Sequence, residues 1–316
     1  MRVVTLAGGT GGAKLAAGLQ AVLPPGALAV VVNTADDTER HGLLVMPDHD
    51  AVLYMLSGRF DFERGWGVTG ESWTVMAALA AYGEDAWFRL GDHDFATHIA
   101  RHARLVGGAR LTAAVRGLQV ATGIPSAILP MTDDRVRTEI RIDEGWVDFQ
   151  DYFVRRRQVP EVREVRYAGI EAARPTSDVL DAIATAKAII IGPSNPIVSV
   201  GPILAIPGMQ EAIAEARSRG VPVAAVSPII GGRALKGPAD RMLASLGMES
   251  SALGVARQYA ALIDTFVLDA QDADLVPAIE ALGVRAVATD TIMADEAGRA
   301  RVARSVLAAL GLAVQA

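Results

Sequence analysis

Near its start the chain reads Gly8-Gly9-Thr10-Gly11-Gly12-Ala13-Lys14, a run of small residues with one amine behind it. Small residues let backbone N–H groups and the positive end of a following helix approach an anion, and Lys14 adds charge within reach. The run approaches two nucleotide motifs and completes neither. A dinucleotide fingerprint counted from Gly9 needs a third glycine at the position held by Lys14. A Walker loop counted from Gly8 needs a glycine and a magnesium-binding hydroxyl where Ala13 and Leu15 stand. What survives is phosphate binding by a strand-to-helix turn, with a purely structural turn as the alternative.

Four carboxylates follow at Asp36, Asp37, Asp48 and Asp50, the first pair after an apolar run and the second behind Pro47. Magnesium takes such oxygen ligands, usually one or two together with substrate phosphates; turn and helix-cap aspartates are the alternative. The string Trp87-Phe88-Arg89-Leu90-Gly91-Asp92-His93-Asp94 sets a cation, an imidazole and two carboxylates before a helical stretch around 96–103, which Asp92 or Asp94 can also simply cap. His98 and His102 are four apart on one face of that stretch, but the glutamate of the zinc-protease pattern is missing, so a surface pair is expected and zinc is not. In Gly192-Pro193-Ser194-Asn195-Pro196 the prolines pin a loop presenting a hydroxyl and an amide, suited to a base, ribose or phosphate or to a rigid turn. Lys236, followed by Gly237-Pro238, offers a charge that can neutralise phosphate.

The elements needed to hold these groups read as strand, loop and helix in alternation. Val3 to Ala7 is a buried strand, Ala13 to Val22 a helix stopped by Pro24-Pro25, and Leu28 to Val32 a second all-apolar strand. The texture changes over 58–170, with tryptophans at 66, 73, 87 and 146, helical stretches and a polar alternation from Thr138 to Val147. From Ser177 the earlier pattern returns: strand Ala188 to Ile191, helix Met209 to Ser218, strand Val221 to Val226, then Phe266 to Leu268 and Ala286 to Thr289. The expected fold is α/β: a Rossmann-like, doubly wound, mostly parallel sheet built from 1–57 and 171–316, with 58–170 a mainly helical insertion contributing to the site. In such sheets ligands sit outside the carboxyl ends of the strands, where all these polar segments fall.

Composition narrows the functional classes. With 316 residues, 51% of them hydrophobic, the chain can bury a large core. A formal charge of −6 argues against nucleic acid as partner, and the absence of cysteine removes disulfides, thiolate metal sites and cysteine nucleophiles. No apolar run is long enough to span a bilayer and no export signal precedes the first strand, so the expectation is a cytoplasmic enzyme without membrane or nucleic-acid partners. A nicotinamide-dependent oxidoreductase is disfavoured by Lys14.

Taken together and in order, the segments resemble the CofD family, called FbiA in some bacteria, the 2-phospho-L-lactate transferases of coenzyme F-420 biosynthesis. The matching pieces are Gly8 to Leu15, Asn33 to Thr38, Pro47 to Asp50, Arg64-Gly65-Trp66-Gly67 with Glu71-Ser72-Trp73, Trp87 to His98, Gly192 to Leu204, and Lys236 to Asp240. One departure is His93, where the family more usually has arginine. The resemblance implies transfer of a phospho-acid group, phospholactate or phosphoenolpyruvate, from a guanosine diphosphate conjugate to the ribityl hydroxyl of the deazaflavin Fo, with release of GMP and help from Mg2+. It implies that Asp50, Arg89, Asp92 and Asp94 contact Fo, that Asp36 and Asp37 hold the metal, and that Gly8, Gly9, Thr10, Gly11, Gly12, Lys14, Ser194, Asn195 and Lys236 hold the nucleotide and its phosphates. Asp50, Asp36 and Lys14 would be catalytic, with Asp50 as proton acceptor, and the protein a homodimer. A YvcK-like regulatory protein, which shares the fold and binds a nucleotide sugar without turnover, is the alternative.

Overall fold

Val3–Ala7 (β1) is wholly buried, as a strand covered by helices on both faces must be. It pairs in parallel with the equally buried Leu28–Val32 (β2), Val3 opposite Leu28 and Ala7 opposite Val32, and on its other side with Ala188–Ile191. The computed structural model describes residues 2–312 and places these strands at the middle of a seven-stranded parallel sheet. Across that sheet the order is Arg285–Thr289, Thr265–Asp269, Val223–Val226, Ala188–Ile191, β1, β2 and Ala127–Pro130. The chain therefore winds outward from β1 to Ala127–Pro130, returns to the far side of β1, and winds the opposite way. The reversal lies between β1 and Ala188–Ile191, and a crevice for ligands opens at such a point.

Alternation along the strands divides the core between the two faces. Val4, Leu6, Val31, Ile189 and Ile191 pack with Ile183, Ile203 and Ile213 of the helices on one side. Val3, Ala7, Val30, Val32 and Ile190 pack on the other with Leu15 and Leu19 of Gly9–Val22 (α1), Val52 and Leu53 of Pro47–Leu56 (α2), and Val302 and Val306 of the helix Glu296–Ala309. Each such fully buried aliphatic side chain contributes roughly 1.5–3 kcal/mol relative to an exposed one. This two-sided core holds the loops at the strand ends in fixed positions.

The stretch 58–170 carries the helices Thr74–Ala81 (α3), Asp92–Val106 (α4) and Leu111–Thr122 (α5), and it holds strands as well. Ala127–Pro130 joins the central sheet as its edge strand beside β2, and Gly145–Asp148, Arg137–Ile142 and Glu164–Ala168 form an antiparallel sheet of their own. A four-residue apolar run cannot be told from a piece of helix by periodicity, so the edge strand was hidden in the sequence. Among the described residues no helix is long and apolar enough to cross a membrane.

Candidate active site

A cavity of about 600 Å³ opens over the carboxyl ends of β1 and its neighbours. Its floor is the start of α1. Gly9 takes a positive φ of 59°, and a Cβ on Gly11 would stand 2.2 Å from the Pro193 carbonyl oxygen, one on Gly12 2.5 Å from Ser194 Oγ. Two of these glycines thus let α1 press against the Gly192–Asn195 loop, and Gly12 serves that packing without lining the cavity. The Gly8 amide donates to Ser194 Oγ at 3.1 Å and the Gly9 amide to Asp48 Oδ1 at 2.7 Å. Two donors expected to face phosphate are therefore used within the protein, leaving those of Thr10 and Gly11 in the first helical turn.

Lys14, Ser194, Asn195 and Lys236 all line the cavity. Asn195 Oδ1 accepts from the Ile197 amide at 2.9 Å, while its Nδ2 has only the Met242 sulfur at 3.6 Å. Burial lowers the Lys14 ammonium from its ordinary range, with Arg299 adding to the effect; burial and then Lys14 do the same to Lys236. A crowded set of cations is relieved by a polyanion. Lys236 Nζ donates to the Gly65 carbonyl, tying the loop after Ala234 to the Arg64–Gly67 turn at the cavity wall.

Asp36, Asp48 and Asp50 also line the cavity, Asp48 next to the glycine turn. Pro47 starts α2 in the position where a missing N–H is harmless, placing Asp48 and Asp50 in the first turn, where carboxylates meet the positive helix end. Asp48 Oδ2 accepts from Asn33 Nδ2 at 2.9 Å; burial still pushes its carboxyl up to about 6. Asp36 is raised further by burial and then by the charge of Asp48, and its buried Oδ1 has no hydrogen-bond partner. Asp37 is also buried and raised by burial, against the pull of Arg137 and Arg101, but it does not line the cavity. Among the described residues no three histidine or acidic side chains are arranged to hold a metal by themselves. The unpartnered Asp36 oxygen fits a magnesium ion completed by substrate phosphates; Asp37 Oδ1 is likewise buried and without a hydrogen-bond partner, but Asp37 stands outside the cavity lining.

Asp50 is not a free carboxylate. Arg101, buried in α4, binds it through Nη1–Oδ1 at 2.7 Å and Nη2–Oδ2 at 2.8 Å. Burial alone raises this carboxyl, yet the charge and hydrogen bonds of Arg101, with His49 and His98, hold it well below the usual carboxylate range. Asp50 is consequently a weak base. Arg101 Nη2 also meets His98 Nδ1 at 2.8 Å, and His98 Nε2 lies 3.5 Å from Asp94 Oδ1, which accepts from Tyr54 Oη at 2.6 Å. His98 is buried and lines the cavity, so the expected surface histidine pair does not form.

Aromatic rings wall the remaining space: Trp87, Phe88, and Phe149 stacked on Phe153 at 5.4 Å. At the mouth the exposed Arg89 lies 4.4 Å from the Trp73 ring centroid, and Arg64 lies between Trp73 and Trp66 at 4.9 and 5.2 Å. Arg89 and Asp94 thus reach the cavity as expected, but Asp92 does not. Its carboxylate accepts from Ser72 Oγ at 2.6 Å and from the Thr74 and Val75 amides, capping α3. Glu71 in turn accepts from the His93 and Asp94 amides at 2.9 and 2.8 Å, capping α4. His93 itself is exposed and does not line the cavity. Sequence reasoning missed Tyr54, Arg101, Phe149 and Phe153; the one available signal was a charged Arg101 falling at helical spacing behind Asp94 and His98.

A doubly wound sheet with a cavity at its switch point, lined by lysines, first-turn glycines and carboxyls, defines an α/β protein of the class that takes its ligand at the strand ends. The chain belongs to the family described as 2-phospho-L-lactate transferase CofD, whose model matches residues 3–307. It is 44% identical over 313 residues to the phosphoenolpyruvate transferase of Streptomyces griseus, covering 97% of this chain and 98% of that one. It is 40% identical over 291 residues to the 2-phospho-L-lactate transferase of Methanococcoides burtonii, covering 92% and 94%. A solved structure of a UPF0052-family protein from Bacillus halodurans superposes with a TM-score of 0.61 at 16% identity, covering 97% of this chain and 98% of that one, a likeness of fold.

Proposed function

We propose that this protein transfers a phospho-acid group, 2-phospho-L-lactate or phosphoenolpyruvate, from a guanosine diphosphate conjugate to the ribityl hydroxyl of the deazaflavin Fo, releasing GMP, in the cytoplasmic biosynthesis of coenzyme F-420. The observation that carries this reading is a single cavity joining three kinds of wall: first-turn amides with two lysines, paired carboxyls, and aromatic rings. The names of the full-length relatives support the transferred group.

In this reading the diphosphate lies along the Thr10 and Gly11 amides, with Lys14 and Lys236 drawing its charge. Phosphoryl-type transfer asks mainly for alignment and charge neutralisation, which these fixed groups supply. Asp36 and Asp48 hold Mg2+, which when bound neutralises developing charge on the phosphate oxygens. Trp87, Phe88 and Phe149 take the planar deazaflavin, with Arg89 at the mouth. Asp50, locked to Arg101, orients the acceptor by accepting a hydrogen bond rather than by taking its proton. Ser194 and Asp92 support the loop and helix that carry the site. A homodimer belongs to the same reading, and sedimentation checks it.

Titration with Fo, followed by quenching of the tryptophans near the mouth, tests acceptor binding. Saturable quenching is expected. No binding at any concentration overturns the reading in favour of a protein that holds a nucleotide without turnover.

A further inference from the structure

Attack by a hydroxyl on phosphorus releases a proton, and the cavity offers four carboxyls to take it: Asp36, Asp48, Asp50 and Asp94. Three are committed. Asp50 is held by two bonds from Arg101, Asp48 receives one bond on each oxygen from Gly9 and Asn33, and Asp36 is the unpartnered oxygen that suits a cation. Asp94 differs from all of them. Tyr54 Oη donates to its Oδ1, and no described residue donates to its Oδ2.

The tautomer of His98 follows from its neighbour. A guanidinium can only donate, so the 2.8 Å contact from Arg101 makes His98 Nδ1 the acceptor and leaves the proton of the neutral ring on Nε2. That nitrogen lies 3.5 Å from Asp94 Oδ1, against the carboxyl without a hydrogen bond to it. Burial, with Arg101 beside it, lowers the imidazole to about 4 despite Asp50, so the neutral ring is the form present near pH 7.

Resting on the transfer proposed above, we infer that Asp94 accepts the proton of the attacking hydroxyl, with Tyr54 and His98 as positioning residues and Arg101 fixing the His98 tautomer. The hydroxyl oxygen bonds to the phosphorus of the phospho-acid group. The bond from that phosphorus to the bridging oxygen breaks, GMP leaves with the oxygen, and the proton passes to Asp94 Oδ2. The groups facing Asp94 are Tyr54, Asp50, Glu71, His98 and Arg101; burial, Asp50 and Glu71 push its carboxyl up to about 7, while Tyr54 and Arg101 oppose them. A base near neutrality is efficient at proton transfer in that range.

The test is the pH dependence of kcat and of KM for Fo in the wild type, Asp94→Asn and Tyr54→Phe. Wild-type kcat should rise with pH to a plateau, half-maximal near 7. Asp94→Asn should lose about 10²–10⁴-fold in kcat with no rising limb and little change in KM. Tyr54→Phe removes one donor to the ionised carboxylate, so its limb should move about one unit to higher pH while the plateau remains. A rising limb that persists in Asp94→Asn, or a raised KM with kcat intact, overturns the assignment alone. If Asp94→Asn does not fold, an unshifted limb in Tyr54→Phe does so. Absence of transfer by the wild type overturns the functional reading and this assignment with it.

Discussion

Arg101 and Asp50 form a two-bond ion pair with both side chains buried, the nitrogens 2.7 and 2.8 Å from the carboxylate oxygens. The same guanidinium donates to His98 and to the Leu44 carbonyl at 3.1 Å. One side chain from α4 thereby fixes the charge of one acidic residue, the tautomer of a histidine and the strand leading into α2.

Removing one partner of a buried pair leaves an uncompensated charge, at a cost of about 3–5 kcal/mol. Arg101→Met should be destabilised by that amount in urea unfolding at pH 7. Pairing it with Asp50→Asn should recover much of the loss. Strictly additive costs would show that the two residues are not coupled.

Asp94 behaves oppositely. Its folded carboxyl lies near 7, above the unfolded value near 4, so burial disfavours the charged form. The folded state carries no penalty below about pH 4, and stability falls as pH rises to about 7. Asp94→Asn lacks this loss and should be the more stable protein at pH 8, by on the order of a few kcal/mol, with the gap closing towards pH 4. Melting temperatures across that range check it; a gap that widens on acidification contradicts it.

The mutual capping of α3 and α4 assigns Asp92 a scaffold role. Asp92→Ala should lower the melting temperature modestly, as the loss of a helix cap does, and leave the dissociation constant of Fo nearly unchanged. A large loss of Fo affinity in a well-folded Asp92→Ala protein would place that carboxylate in the cavity.

At the switch point the tight contact is between backbones. A methyl group on Gly11 would lie 2.2 Å from the Pro193 oxygen, which cannot swing aside as a side chain would. Gly11→Ala should lose about 1–3 kcal/mol and most of its activity, because the loop bearing Ser194 and Asn195 must shift. Normal stability and turnover in this variant would contradict the packing described.

Asp36→Asn should lose magnesium-dependent transfer while melting no lower than the wild type without metal, since it removes a buried carboxyl with an unpartnered oxygen. Steady-state turnover against magnesium concentration measures this. Wild-type turnover would remove Asp36 from the metal site.

Much of the fold was legible because its information is local. Runs such as Val3 to Ala7 and Ala188 to Ile191 read as strands buried on both faces, and the structure places them side by side. Ala127–Pro130 was lost because four apolar residues behind a helix carry no period, and only pairing with β2 makes them a strand. The same division holds in the site. Gly8 to Lys14 announces a helix start over a short span, whereas the partner of Asp50 stands 51 residues away and the amides capped by Asp92 stand 18 and 17 residues before it. Spacing shows that a carboxylate sits at a helix start. It does not show which helix it caps or which cation neutralises it.

The most direct measurement of the central claim is mass analysis of the products when the purified protein, Mg2+ and Fo are incubated with the guanosine diphosphate conjugate of phospholactate or of phosphoenolpyruvate. A deazaflavin heavier by the phospho-acid group, formed in equal amount with GMP, is expected from at least one conjugate. Intact Fo with both conjugates, or GMP formed without modification of Fo, would contradict it.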